Sequence, residues 1–187
     1  MSVGKSSEGK SPEGKQKAPE LVKSVDQCFP PLLGECPKVL ILGTLPSVKS
    51  LEEQQYYGHP QNAFWWLMSK ICSFEYGFSY SERVSHLLAN NIAVWDVIQS
   101  CHRPGSLDSK IDQSTLVPND FFKLLGEQST IRAIVFNGQS ACKLFNKFVD
   151  VGRWKGDLIV LPSTSPANAR MRRETKLEKW LTLKSYL

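Results

Sequence analysis

Val39-Leu40-Ile41-Leu42-Gly43-Thr44-Leu45-Pro46-Ser47 is the stretch whose reading decides the fold. Its first four residues are an uninterrupted apolar run, as expected of a strand buried on both faces. The glycine and proline that follow stop the run abruptly, so the chain turns out of a sheet there. The continuation, Tyr56-Tyr57-Gly58-His59-Pro60-Gln61-Asn62-Ala63-Phe64-Trp65, is too rich in tyrosine, histidine and amides for a routine connection. It leads into a helix expected over 62–72, with Phe64, Leu67, Met68 and Ile71 at i, i+3, i+4 and i+7. A functional loop at the carboxyl end of a strand fits an α/β protein.

Outward from this stretch, strand and helix signals alternate. Ser79 and Glu82 have the spacing of a capping box, ahead of a helix with Val84, Leu87 and Leu88 on one face. Residues 92–98 are β-branched and aromatic and read as a second strand, and residues 100–117 as a long surface loop. Pro118-Asn119-Asp120 opens a helix carrying Phe121, Phe122, Leu124 and Leu125, and residues 131–136 form a third strand. Ala141, Leu144, Phe145 and Phe148 make a helical stripe, and residues 158–161 are a fourth strand. A last helix is expected to turn Leu177, Trp180 and Leu181 inward and its basic residues outward. The alternation predicts an α/β fold, a three-layer α/β/α sandwich around a mainly parallel, four-stranded sheet.

At 187 residues and 41% hydrophobic content the chain supports one core, expected over 28–187. Residues 1–27 repeat short Ser, Glu, Gly and Lys segments and read as a disordered polar tail. No apolar run approaches membrane-spanning length, and the start lacks the apolar segment of a secretory signal, so a soluble intracellular protein is expected, nuclear in a eukaryotic cell and cytoplasmic in a prokaryotic one. Five cysteines without a CxxC pair read as reduced thiols, and three histidines without ligand spacing argue against a metal. No cofactor is expected, since neither GxGxxG nor GxxxxGK[ST] is present. The net charge of +5 is modest, but from Arg170 onward six basic residues face two acidic ones. This is either a solvated helix face or a phosphate-contacting surface.

The first loop resembles the uracil-DNA glycosylase superfamily, whose members carry a Gly-x-x-Pro turn after the first strand. His59-Pro60-Gln61-Asn62-Ala63-Phe64-Trp65 is shared in pattern with the mismatch-specific uracil and thymine enzymes, whereas residues 45–57 are most similar to the deoxyinosine (hypoxanthine) branch. The resemblance covers roughly 38–187. It implies a uracil-DNA glycosylase-like fold and a monomeric, monofunctional DNA glycosylase of base excision repair. Such an enzyme would flip out a deaminated base, hypoxanthine in preference to uracil, and release it with water. A nucleic-acid binder that has lost catalysis is the rival from another class; a small-molecule hydrolase is disfavoured by the lack of a GxSxG elbow.

Roles carried over by the resemblance each have a structural alternative. Phe64 is either the aromatic platform for the base or a core phenylalanine. Tyr57, with Tyr56 as its competitor, is a second wall, and Gly43 belongs to the base-binding turn. Asn137, before Gly138, is either a reader of the Watson–Crick edge or a turn asparagine. Leu45 stands where many members have a polar residue that positions water. In the deoxyinosine branch that duty passes to Asn62, which can equally cap its helix. His59 can serve as an acid or as a loop histidine. Ser163, Ser165, Asn168, Arg170 and Met171 occupy the second motif, which opens Leu161-Pro162-Ser163 instead of with a polar residue. Together with Ser47, Arg172 and Arg173 they are the expected DNA contacts.

Overall fold

The computed structural model describes Met1, residues 25–150, Gly152 and residues 154–187. The tail expected over 1–27 therefore lies largely outside the described residues. The chain runs β1 (Val25–Gln27), β2 (Val39–Gly43), α1 (Val48–Glu53), α2 (Phe64–Ile71), α3 (Tyr80–Ala89), β3 (Ile92–Asp96), β4 (Ile98–His102), β5 (Val117–Pro118), α4 (Phe121–Glu127), β6 (Ala133–Asn137), α5 (Gln139–Phe148), β7 (Asp157–Leu161) and α6 (Arg173–Trp180).

β2 is central because it is apolar on both faces. Successive side chains of a strand point to opposite sides. Val39 and Ile41 accordingly enter one core with Phe64, Leu67, Met68, Leu87 and Trp180, while Leu40 and Leu42 enter another with Phe121, Leu124, Ala141 and Phe145. Helices α2, α3 and α6 thus cover one face, and α4 and α5 the other. The sheet order is β3-β2-β6-β7, and all three pairings are parallel. Each such side chain taken out of water contributes about 1.5–3 kcal/mol, so packing on the sheet holds these short helices more than their own propensity does. The capping box of α3 forms as expected, Ser79 accepting from the Glu82 N–H and the Glu82 carboxylate from the Ser79 N–H.

Five expectations are corrected. The strand at 92–98 breaks after Asp96: the Val97 and Ile98 N–H groups donate to the Gly43 and Thr44 carbonyls, and the chain leaves the parallel sheet as β4. The segment 100–117 is therefore not one long loop. β4 runs antiparallel between β1 and β5 in a second small sheet. Its polar Gln99, Ser100 and His102 conceal a strand whose partners are distant in sequence. Regular structure also starts at Val25, three residues before the expected domain start.

Helix α1 lies inside the stretch read as a loop, capped by Ser47, whose hydroxyl accepts from the Ser50 N–H. Finally, α6 buries Lys176 and Trp180, with Leu183 following from the 3-10 turn, while Leu181 is exposed. The tighter turn after Trp180 rotates Leu181 outward and brings Leu183 into its place. Burial holds the Lys176 ammonium below its ordinary pKa.

Trp180 ties this helix to the site, since its indole N–H donates to the Pro162 carbonyl at 2.9 Å and its ring meets Phe64 edge-on. Trp180→Ala is expected to cost roughly 3–5 kcal/mol in urea unfolding, and Leu181→Ala at most about 0.5 kcal/mol.

Candidate functional site

From β2 the chain goes to β3 on one side and later to β6 on the other. The connections leaving the carboxyl ends of these strands diverge, which opens a crevice at the switch point. A cavity of about 370 Å³ lies there, within the range of about 300–1,000 Å³ usual for small-molecule sites. Gly43, Asp96 and Asn137 line it from the strand ends, Tyr57 and Asn62 from the segment before α2, and Ser163 and Thr164 from beyond β7. Ser106, Leu107, Asp108 and Ser109 close one side.

Phe64 has no free face. It is fully buried, and Tyr57 stacks on it with centroids 3.8 Å apart and 21° between planes. Of the two, Tyr57 is the ring that lines the cavity, so the reading of Phe64 as platform is corrected to core. Tyr57 is placed there by a left-handed backbone, φ 55°. Tyr56 also touches the cavity but is packed into the core, with its hydroxyl donating to the Phe29 carbonyl and its own carbonyl accepting from the Trp65 indole.

Asn62 lines the cavity, and its Oδ1 accepts from the Phe64 N–H at 3.0 Å. It lies one residue outside the N-cap, which is Ala63, so α2 starts at 64 instead of 62. The amide still meets one of the helix's free N–H groups through Oδ1, and its Nδ2 protons are not needed for that contact. His59 stands outside the cavity lining, and its Nδ1 accepts from the Gln61 N–H.

Asn137 clamps the loop after β7. Its Nδ2 donates to Thr164 Oγ1 at 2.9 Å, and its Oδ1 accepts from the Thr164 N–H at 2.8 Å. Its other amide proton lies toward the Tyr57 hydroxyl, and a second oxygen lone pair is left to the cavity. Gly138 permits this approach: its φ is 106°, and a Cβ there would come within 2.9 Å of Ser163 Cβ. The Thr164 carbonyl accepts from the Ala63 N–H, which joins the first-loop and fourth-strand segments.

Of the expected DNA contacts, Ser47, Ser163, Ser165 and Asn168 line the cavity and also brace its loops. Ser165 Oγ accepts from the Ala167 N–H, and Asn168 Nδ2 donates to the Ser163 carbonyl. Arg170, Met171, Arg172 and Arg173 lie just beyond it, the arginines exposed and Met171 half-buried. Arg173 is engaged with Glu174 and sits over the Trp66 ring at 4.6 Å.

Sequence reasoning missed a polar cluster beneath the first turn. Arg103, 3% exposed, donates to Asp26 Oδ2 and to the Pro46 carbonyl, with Asp108 Oδ1 at 3.8 Å. Thr44 Oγ1 donates to Asp108 Oδ2 at 2.9 Å, and the Val48 N–H donates to Ser106 Oγ. Asp96 is 4% exposed, and its Oδ2 has no hydrogen-bond partner among the described residues. Burial pushes its carboxyl up to about 7, against the pull of Arg103 and aided by Asp108. Burial and then the Asp96 charge also raise the Tyr57 phenol, with the Asn137 amide pulling the other way. The one signal available in the sequence was a carboxylate closing the apolar run Ile92-Ala93-Val94-Trp95.

A three-layer α/β/α fold with a polar, base-sized cavity at its switch point defines a class of ligand-binding α/β proteins. Within that class, the sequence pattern of the uracil DNA glycosylase superfamily matches residues 30–184. Two curated relatives, each a hypoxanthine DNA glycosylase, come from Methanosarcina acetivorans (38% identical) and Methanosarcina barkeri (34%). Each match spans 152 residues, 80% of this chain and 92% of the relative. The solution NMR structure of a uracil DNA glycosylase candidate from Methanosarcina acetivorans superposes with a TM-score of 0.74 at 34% identity, covering 87% of this chain and 99% of that one. The chain belongs to the uracil DNA glycosylase superfamily, as its first loop led us to expect. Among the described residues, no helix is long and apolar enough to cross a membrane.

The Asp96 carboxyl ionises near 3.8 when exposed and near 7 in the fold. Between these values the folded state keeps a proton that the unfolded chain loses. The stability this group contributes is therefore complete below the lower value and falls as pH rises through the upper one. Asp96→Asn is expected to flatten the fall of the urea midpoint between pH 4 and 8 relative to wild type.

Proposed function

We propose that the protein removes deaminated bases from DNA, hypoxanthine before uracil, by hydrolysing the N-glycosidic bond and leaving an abasic site. The observation that carries this reading is the meeting of Tyr57, Asn62 and Asn137, from separate segments of the chain, in one cavity at the switch point. The names of the two Methanosarcina relatives support the choice of base. A base in a duplex is reached only by extrusion into such a pocket, where it is held by stacking and by its hydrogen-bonding edge.

In this mechanism Tyr57 supplies the stacking face, worth about 1–3 kcal/mol per base. Asn62, fixed by the Phe64 N–H, turns its amide to the attacking water and the departing base. It cannot act as a general base, so its work is orientation while the sugar takes on oxocarbenium character. Asn137 offers a donor and an acceptor to the base from an amide already locked on Thr164. Gly43 leaves room for the base beside the strand end. Ser47, Ser163, Ser165 and Asn168 hold the backbone near the extruded nucleotide, and Arg170, Met171, Arg172 and Arg173 bind the flanking duplex as a monomer. Leu45 and Leu161 are 8% and 6% exposed and pack in the two cores. Their place in the motifs is structural in this reading.

The direct test is single-turnover excision from single-stranded and duplex DNA carrying one deoxyinosine or one deoxyuridine, with alkali to reveal abasic sites. Hypoxanthine release faster than uracil release is expected, while DNA binding without release of either base favours a binder that has lost catalysis. Asn62→Ala is expected to slow excision by about a hundredfold with DNA affinity nearly unchanged. Arg170→Ala combined with Arg172→Ala is expected to weaken binding first, lowering the salt slope by about 0.9 for each phosphate that is no longer neutralised.

A further inference from the structure

Two residues that line the cavity beside Gly43 each bury a polar atom with no well-aligned hydrogen-bond partner among the described residues: the hydroxyl of Tyr57, near which the Asn137 amide lies, and Oδ2 of Asp96, whose other oxygen is the one that faces Gly43. A Cβ built on Gly43 would stand 2.4 Å from Asp96 Oδ1 and 3.2 Å from the Tyr57 hydroxyl. Glycine at this strand end is thus what allows the carboxyl to stand against the backbone. A buried polar group left unpaired costs on the order of 1–3 kcal/mol, and more for a charged one. Such a pair in a cavity marks a place for a ligand that completes it.

Arg103 does not complete it. Its guanidinium is spent on Asp26, Asp108 and the Pro46 carbonyl. The Asn119 amide reaches the same strand end, and its Nδ2 donates to the Asp96 backbone carbonyl, not to the carboxyl. Asp96 is therefore held in place through its backbone while Oδ2 keeps its hydrogen-bonding capacity unused.

We propose that Asp96 reads the base, its carboxylate accepting the ring N–H of the lactam that deamination creates. This rests on the glycosylase reading above and deepens it. Hypoxanthine carries that N–H at N1, and uracil carries the equivalent one at N3. Adenine has a lone pair at N1 instead, and a carboxylate opposite a lone pair repels it. Selection of the deaminated base over its parent thus comes from one acceptor-only group, which neither the first-loop motif nor the amide of Asn137 provides. An amide presents both a donor and an acceptor and can turn to suit either base.

The test uses the full chain at pH 8 under single-turnover conditions. The substrates are duplexes carrying deoxyinosine, deoxyadenosine or the unsubstituted purine deoxynucleoside, which keeps the two rings but lacks the lactam. Asp96→Ala is expected to slow deoxyinosine excision at least tenfold while slowing the unsubstituted purine little, so that the ratio between them collapses. Asp96→Asn conserves shape, so a folded protein is retained, and is expected to narrow the preference for deoxyinosine over deoxyadenosine. Thermal melting and binding to abasic-site DNA report whether each variant is folded. Equal slowing of all three substrates, or unchanged ratios in the folded Asp96→Asn protein, overturns the assignment of Asp96 while hypoxanthine release by wild type keeps the glycosylase reading. No release by wild type defeats that reading and the assignment with it.

Discussion

Every residue of β2 is out of water, and most of the architecture follows from that constraint. A strand buried on both faces needs helices above and below it and a hydrogen-bonded neighbour on each edge. β3 and β6 meet the second need, and the two helical layers meet the first. The open direction at its carboxyl end is then the crevice between diverging connections. Gly43 ends the strand there, and the cavity begins at that residue.

The crevice is kept open by polar contacts that are expensive to break. Arg103 is buried under the first turn with two carboxylates and a main-chain carbonyl around it. Removing one partner of a buried pair costs roughly 3–5 kcal/mol because it strands the other charge. This cluster joins β1, the Pro46 turn and the loop carrying Asp108 into one rigid wall. On the opposite side, Asn137, Thr164 and Ala63 tie the β6, β7 and α2 segments together. The site is thus framed by two hydrogen-bonded clasps, and the loops between them carry the groups that face a ligand. Asp96 stands inside that frame with its carboxyl pushed up to about 7.

What was legible in the sequence was what repeats. The β2 run, the α2 and α5 stripes and the Ser79–Glu82 box have local periods or spacings, and each element formed within a residue or two of its expected place. The order of motifs was enough to place the chain in its superfamily. β4 was not legible, because its polar residues alternate poorly and its partner β1 is distant in the chain. Arg103, Asp108 and Asp26 read as ordinary loop and tail charges, since no periodicity announces an ion pair formed across the fold. Phe64 satisfied the helical stripe and the family pattern equally. Only the left-handed backbone at Tyr57, which lays that ring over Phe64, decided between core and platform. His59 was drawn to the site by its chemistry, yet its ring nitrogen turns back to the Gln61 N–H.

In the mechanism we propose, one extruded base enters the cavity at the carboxyl ends of β2, β3 and β6. The most direct measurement is a crystal structure with duplex DNA carrying 2′-fluoro-deoxyinosine, whose glycosidic bond resists hydrolysis. The expected result is hypoxanthine in the cavity beside Tyr57, its N1 edge toward Asp96 and the Asn62 amide near the anomeric carbon. A base that stays stacked in the duplex, or that binds away from the strand ends, would contradict it.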